Sequence, residues 1–398
     1  MNARPVSERV SWLGAVDWDR RLFDSLIPLP DGTSYNAYLV RGSEKVALLD
    51  SVDPSMRAVL EAQLAAVPRV DYVVSHHAEQ DHSGAIPMVL ERYPQAQVLA
   101  TPKGRALLME QLGLSAERIR AVQDGERLSL GDRTLEFLHT PWVHWPETMV
   151  SYLREEGTLF SCDFLGSHIA QSGLYVEDEG QVLEAAKRYY AEIMQPFRKS
   201  IAKHLVRLEG FDLRLVAPSH GPLHARPALI LDAYRAWATG APKNLAVVAY
   251  TSMHGSTRAM VERLVRSLGA KGVGVQVFDL AVTDIGKLAM ALVDAATLVV
   301  GTPTVLGGPH PGAAYAALLA NALRPKARWL SVIGSYGWGG KAVEQLAALV
   351  PNLEVEVLSP VLCKGPAGGA ELEALDRLAG EVAARHAALA EGGAAQKL

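Results

Sequence analysis

"HHAEQDHSG", residues 76–84, follows the apolar run "VDYVV" and sets three histidines and two carboxylates into seven consecutive positions. A short apolar run that ends in polar residues reads as a buried strand, so the cluster begins where a strand stops and the chain can turn. His77, Glu79, Asp81 and His82 form the pattern H-x-E-x-D-H. Burying two imidazoles and two carboxylates together is costly unless a cation compensates them, so this stretch predicts a metal site. It also asks for a fold that gathers further donors from other strand ends.

Three such ends lie downstream: His144 in "WVHWPE", Asp163 in "LFSCDFLG" and His220 in "VAPSHGP". Each alone is an ordinary strand-end residue; their weight lies in their order and their matching positions. The seven candidates comprise four imidazoles, two terminal carboxylates and one aspartate able to bridge, enough for two metals. Imidazole and carboxylate without thiolate suit zinc, iron and manganese, and the oxygen-rich balance tilts towards iron or manganese. Glu79 stands where the dinuclear zinc hydrolases of the metallo-β-lactamase fold read the second histidine of H-x-H-x-D-H. A harder anionic donor there favours a ferric ion and a redox-active pair.

The runs "YNAYLV", "KVALLD", "VDYVVS", "AQVLA", "TLEFLHT", "MVSYL", "TLFSC" and "LRLVAP" read as strands of a sandwich-like domain, with helices between them, one around "SMRAVLEAQLAAV". After "RAWATGAPKN" the rhythm changes. "NLAVVAY", "VGVQVFDL", "ATLVVGT" and "RWLSVIGS" alternate with helical stretches, which predicts βαβ units and a doubly wound parallel sheet. In "TRAMVERLVRSLGA" the stripe Met260, Val261, Leu264, Val265 and Leu268 marks one helix. The expected boundary lies near Ala241-Pro242, giving domains 1–243 and 244–398, and the C-terminus reads as an Ala-rich helix with a frayed end.

The 398 residues exceed what one core supports, in agreement with two domains. With 49% hydrophobic and 21% charged residues, a mean hydropathy of +0.09 and a formal charge of −4, the composition is that of a soluble globular protein. No block of like charge offers itself to nucleic acid or anionic lipid, so small substrates are expected. "MNARPVSERVSW" has no apolar core of a signal peptide and no long uncharged apolar stretch follows, which predicts no membrane span and a cytoplasmic protein. Two cysteines, Cys162 and Cys363, exclude a disulfide framework and any four-cysteine centre, and both read as small buried residues.

"AVVAYTSMHGST" ends a strand and opens a helix. Thr251, Ser252, Met253, His254, Gly255, Ser256 and Thr257 there supply hydroxyls, a small residue and helix N–H groups that suit a phosphate. The loop lacks the G-K-[ST] of a P-loop and is not G-x-G-x-x-G, so a monophosphate such as that of FMN fits better. Two later strand ends join it: "GTPTVLGG", with Pro303, Thr304, Val305, Leu306 and Gly307, and "GSYGWGG", with Ser335, Tyr336, Gly337, Trp338 and Gly339. Tyr336 and Trp338 are candidates to lie against an isoalloxazine ring, Trp338 having partly buried packing as its alternative, while Gly337, Gly339 and Gly340 allow close backbone approach.

Taken in order, H-x-E-x-D-H, "HWPE", "SCDFLG", "PSHG", "YTSMHGST", "GTPT" and "SYGWGG" resemble the flavodiiron proteins, or A-type flavoproteins, over nearly the whole chain, and "GAVDWD", "LFD" and "GTSYNAYLV" resemble that family's N-terminus. The resemblance implies a metallo-β-lactamase-like αββα sandwich (α+β) holding two iron ions, followed by a flavodoxin-like doubly wound parallel sheet (α/β) holding FMN. It implies that His77, Glu79 and His144 bind one iron, Asp81, His82 and His220 the other, and Asp163 bridges them. It further implies reduction of O2 to water, of NO to nitrous oxide, or of both. The assembly implied is a head-to-tail homodimer or a homotetramer in which the partner's FMN serves each iron pair. Without a rubredoxin module, electrons are expected from an external donor such as rubredoxin or its reductase. Departures from the family pattern are His76 for a frequent Asn, Gln80 for Pro, a "GTPTVLGG" loop without Asn, and an "LFDSLIPLP" stretch without a distal-pocket His; they leave gas preference open. His76, His139, His168, His204 and His224 are expected to support the site or lie at the surface, and His254 to contact flavin or solvent. The competing readings are a dinuclear metallohydrolase with a flavodoxin-like docking domain, which Glu79 disfavours, and an electron carrier with a vestigial metal site.

Overall fold

The computed structural model describes residues 2–395, and their side chains as far as 389. Packing divides the chain into two units, Met1–Tyr190 with Phe197–Thr239, and Gly240–Leu398 with Ala191–Pro196. Lys243 and Asn244 open the first strand of the second unit.

In the first unit a mixed seven-stranded sheet runs in the order Arg4–Pro5, Val10–Asp17, Thr33–Arg41, Val46–Leu49, Tyr72–Val74, Gln97–Ala100 and Ile119–Ala121. A second sheet holds Arg127–Ser129, Thr134–His139, Met149–Leu153, Thr158–Cys162 and Leu215–Pro218. Cover on both faces explains why Thr33–Arg41 is buried as far as Val40. Tyr35, Ala37 and Leu39 pack against Leu60, Leu64, Ile86, Val89 and Leu108 of the covering helices. Tyr38 and Val40 point the other way, against Phe137, Met149 and Phe160 of the second sheet. On the far side of that sheet Phe164 meets Tyr234 of the helix Pro227–Thr239 edge to face.

The second unit is a parallel sheet in the order Gly274–Asp279, Lys243–Tyr250, Ala295–Val305, Trp329–Tyr336, with a fifth position shared by Glu356–Val357 and Val361–Lys364. Ala246, Val248 and Tyr250 face Met260, Leu264 and Leu268 of the helix Ser256–Ala270, while Val247 and Ala249 face Leu288, Leu292 and Ala317 on the opposite side. Both faces are covered, which is the doubly wound arrangement expected. The C-terminal helix runs Gly369–Ala395; the frayed end expected beyond it lies outside the described residues. Among the described residues no helix is long and apolar enough to cross a membrane.

Candidate metal centre and flavin cradle

All the donors of the first unit leave from strand ends. The loop after Tyr72–Val74 carries His77 and Glu79, and a single helical turn, Gln80–Ser83, presents Asp81 and His82. His144, Asp163 and His220 follow Thr134–His139, Thr158–Cys162 and Leu215–Pro218, three strands of one sheet that point the same way. The structure brings all seven together. His77, Glu79, His144 and Asp163 offer ligand atoms within 4.8 Å of one another, and Asp81, His82 and His220 do likewise. Asp163 faces both groups. Its Oδ2 lies 3.5 Å from His77 Nε2 and 3.3 Å from His144 Nε2, and its Oδ1 lies 2.9 Å from His82 Nε2 and 3.3 Å from His220 Nε2. Glu79 Oε2 closes the first group at 3.0 Å from His77 Nε2 and 3.1 Å from His144 Nε2, and Asp81 closes the second at 3.1 Å from His220 Nε2.

The orientation of these atoms is as telling as their distances. Both oxygens of Asp81, Asp163 Oδ1 and His82 Nε2 are buried yet lack any hydrogen bond of acceptable geometry, because they point at a common centre rather than at each other. Polar atoms so arranged fit a pair of cations. Partners behind the ring set the tautomers. His77 Nδ1 donates to Glu147 Oε1 at 2.6 Å and His220 Nδ1 donates to the Ser34 carbonyl at 2.7 Å, so each Nε2 is turned inward. Burial disfavours a charged ring at His220, yet the Asp163 and Asp81 carboxylates push it up to about 10. At His144 burial is likewise outweighed, by Asp163 and Glu79, to about 9. Burial raises Glu79, but hydrogen bonds from His144 and His77 hold it well below the usual carboxylate range. A cation entering this cluster takes the place of those imidazole protons.

Glu147 and Tyr189 escaped the sequence reading, whereas the histidines around the site were expected as supporting or surface groups. Glu147 is 2% exposed, also accepts from Ala78 N, and is anchored through its carbonyl by Thr101 Oγ1 at 2.8 Å. Its signal was present in "HWPE", but nothing local reveals a hydrogen bond across 70 positions. His168 is neither at the surface nor among the donors: its ring lies 4.7 Å from that of His220 and 4.8 Å from that of Tyr189, and its Nδ1 bonds Thr33 Oγ1 at 2.8 Å. Burial holds the His168 ring neutral and keeps the Tyr189 hydroxyl protonated beside Asp163. His224 is buried, whereas His139 and His204 are partly exposed and bond the carbonyls of Val122 and Pro141. Cys162 and Cys363 are buried, as their residue type suggests.

In the second unit Thr251–Ser256, Pro303–Gly307 and Ser335–Gly339 emerge at the carboxyl ends of three adjacent parallel strands. The helix Ser256–Ala270 starts at Gly255, φ +89°, without a side-chain cap, so its first N–H groups have no intrahelical partner. Ser252 Oγ braces the turn by accepting from Gly255 N and Arg258 N, Thr257 Oγ1 bonds Ser335 Oγ at 3.1 Å, and Thr251 Oγ1 is buried without a partner. Open N–H groups beside hydroxyls fit a bound phosphate. A Cβ built at Gly337 or Gly339 meets nothing within 4 Å, leaving room for a flat ring. Gly340 serves a different purpose from the one expected: its Cβ would stand 2.6 Å from Thr304 Cγ2, so it lets two loops touch. Trp338 is 72% exposed, which excludes the packing role, and Met253 and Leu306 are exposed on the same loops. Leu306 and Gly307 form a two-residue turn with φ +47° and +81° between Thr304–Val305 and Gly308–Pro309. His254 is exposed.

A β-lactamase-like domain with paired donor groups and a flavodoxin-like domain with an open phosphate cradle define a class of metalloflavoprotein, and comparison with known proteins agrees. Residues 33–221 match the family model described as ODP family beta lactamase, and residues 248–377 match the flavodoxin model. The chain is 35% identical to a type A flavoprotein of Rhodobacter capsulatus, covering 97% of this chain and 94% of that protein. It is 35% identical to a nitric oxide reductase of Moorella thermoacetica, covering 89% and 91% of the two chains. Among solved structures, the rubredoxin oxygen:oxidoreductase of Desulfovibrio gigas superposes with a TM-score of 0.93 at 29% identity, covering 97% and 99%. The chain belongs to the flavodiiron, or type A flavoprotein, family.

Proposed function

We propose that this protein reduces O2 to water, NO to nitrous oxide, or both, at a non-haem diiron centre fed by FMN. The observation that carries the reading is the convergence of seven donors into two groups that share Asp163, with buried acceptors left open towards their centres. His77, Glu79 and His144 are assigned to one iron, Asp81, His82 and His220 to the other, and Asp163 to the bridge. With iron and FMN bound, the metal pair and the flavin would together supply the electrons that reduction of O2 or NO requires.

The chain's own residues shape that chemistry. Glu147 and the Ser34 carbonyl hold the imidazoles of His77 and His220 with Nε2 inward, so the donors need no reorientation as substrate arrives. The buried, neutral His168 packs its ring against those of His220 and Tyr189, and the protonated Tyr189 hydroxyl lies beside Asp163, which keeps this side of the cluster dry and fixed. Phe23, 6.3 Å from the His220 ring and 5.2 Å from that of His168, limits water there.

Thr251, Ser252, Gly255, Ser256 and Thr257 are assigned to the FMN phosphate. Met253, His254, Pro303, Thr304, Val305, Leu306, Gly307, Ser335, Tyr336, Gly337, Trp338 and Gly339 are assigned to the rest of the cofactor. Relatives are named for nitric oxide, for rubredoxin with oxygen and for reduced coenzyme F420, which supports an external donor for this chain, a rubredoxin or its reductase being the one proposed. We assign it a head-to-tail dimer or tetramer in the cytoplasm; the exposed Met253, Leu306 and Trp338 support a covering surface at the cradle. Anaerobic turnover of chemically reduced enzyme, with O2 and NO compared side by side, tests the reading. Consumption of at least one gas with multiple turnovers is expected; inertness to both in protein loaded with iron and FMN contradicts it.

A further inference from the structure

Asp50, His76 and Ser151, none of them among the seven donors, form a buried hydrogen-bonded chain. Asp50 follows the strand Val46–Leu49 at φ +56°, and its carboxylate accepts from His76 N at 2.8 Å, His76 Nδ1 at 2.7 Å and Ser219 Oγ at 3.3 Å. Because a carboxylate only accepts, His76 Nδ1 carries a proton, and Nε2 shares a hydrogen bond of 2.7 Å with Ser151 Oγ. The order acid, imidazole, hydroxyl is that of a nucleophilic triad, yet Ser151 has no exposed surface through which a substrate would reach it. The arrangement is structural in another sense. His76 leaves the first sheet, and Ser151 lies on the middle strand of the second, so one imidazole ties the two sheets together.

The surrounding hydrogen bonds extend this tie to every donor loop. The His76 carbonyl accepts from Met149 N at 3.0 Å, at the far end of the loop that carries His144. Ser219, beside His220, donates its N–H to the Cys162 carbonyl at 2.8 Å, next to Asp163. Ser51, beside Asp50, donates both its N–H and its hydroxyl to the His82 carbonyl, each at 2.7 Å. The Asp50 N–H holds the Val74 carbonyl at 2.7 Å. A displacement at His76 therefore moves donors of both groups.

We propose that His76 is a positioning residue whose two arms, to Asp50 and to Ser151, set the separation of the donor loops and with it the spacing of the two metal positions. This rests on the diiron reading above. The test uses full-length protein loaded with iron, as wild type, His76→Asn, Ser151→Ala and the double variant. Asparagine keeps a donor near the place of Nδ1 but is too short to reach Ser151, so both single changes cut the same arm. Leu60→Ala, in the helix-side core, is the control for lost stability alone. Iron affinity is read by chelator competition, and site geometry by the mixed-valence electron paramagnetic resonance spectrum.

Each single variant is expected to bind iron roughly tenfold more weakly and to shift the spectrum, as lost support behind a ligand does. The double variant is expected to lose no more than either single, and Leu60→Ala to keep the wild-type spectrum. The proposal is overturned if both singles stay within about twofold of wild-type affinity with an unchanged spectrum, if their losses add, or if Leu60→Ala reproduces them. Failure of the wild type to hold two irons overturns the diiron reading and the proposal with it.

Discussion

The clustering of the seven candidate ligands was legible because the chemistry of burying charge leaves few alternatives for H-x-E-x-D-H, and because strand ends recur in order. Their supports were not, since they meet them from far along the chain: Ser34 reaches His220 across 186 positions and Glu147 reaches His77 across 70. Donors and supports predict different failures. Glu79→Ala removes a donor and is expected to lower iron occupancy from about two per chain towards one, with activity falling in step; full occupancy by metal analysis contradicts the assignment. Glu147→Gln keeps an acceptor but loses its charge, so iron affinity is expected to drop roughly ten- to a hundredfold with the donor set intact. Trp338→Ala is expected to leave the melting temperature nearly unchanged, because the ring is 72% exposed. Its effect falls on FMN affinity or potential, measured by flavin release.

Elements with a clean period were read correctly. The stripe Met260, Val261, Leu264 and Leu268 is buried as expected, with Val265 at its margin. The strand Val10–Asp17 was missed as a strand because Gly14 interrupts its pattern. The structure shows why glycine is needed there: a Cβ would stand 2.5 Å from the Tyr35 carbonyl oxygen and 2.7 Å from the Trp12 ring. The fifth position of the second unit's sheet was also unread, since Pro360 and Ser359 split it into two short pieces. Loop and helix meet at Thr101, which caps Pro102–Leu112 by accepting from Gly104 N at 3.0 Å and donates to the Glu147 carbonyl. Thr101→Ala is expected to cost about 1 kcal/mol of stability in denaturant melts, and to weaken iron retention as well, because Glu147 loses an anchor.

For the molecule as a whole, pH enters through buried histidines away from the donors. Burial lowers His224 from 6.5 to about 4, the Leu165 backbone opposing it only in part. A depressed value means that the unfolded chain takes up a proton first, so the stability His224 contributes is full above about 6.5 and is lost as pH falls from there towards 4. The full loss is about 3 kcal/mol. His224→Leu is expected to flatten the fall of melting temperature over that window, and an equally steep fall would show that other groups cause it. His386, held by Thr297 at 2.8 Å and by Asn244 at 2.8 Å, shifts the same way through burial and adds to the slope. The function depends on what the two units bind. Metal and flavin analysis of the purified full-length protein settles this most directly: about two irons and one FMN per chain are expected, whereas a zinc-only, flavin-free protein that hydrolyses esters or thioesters would contradict a reductase outright.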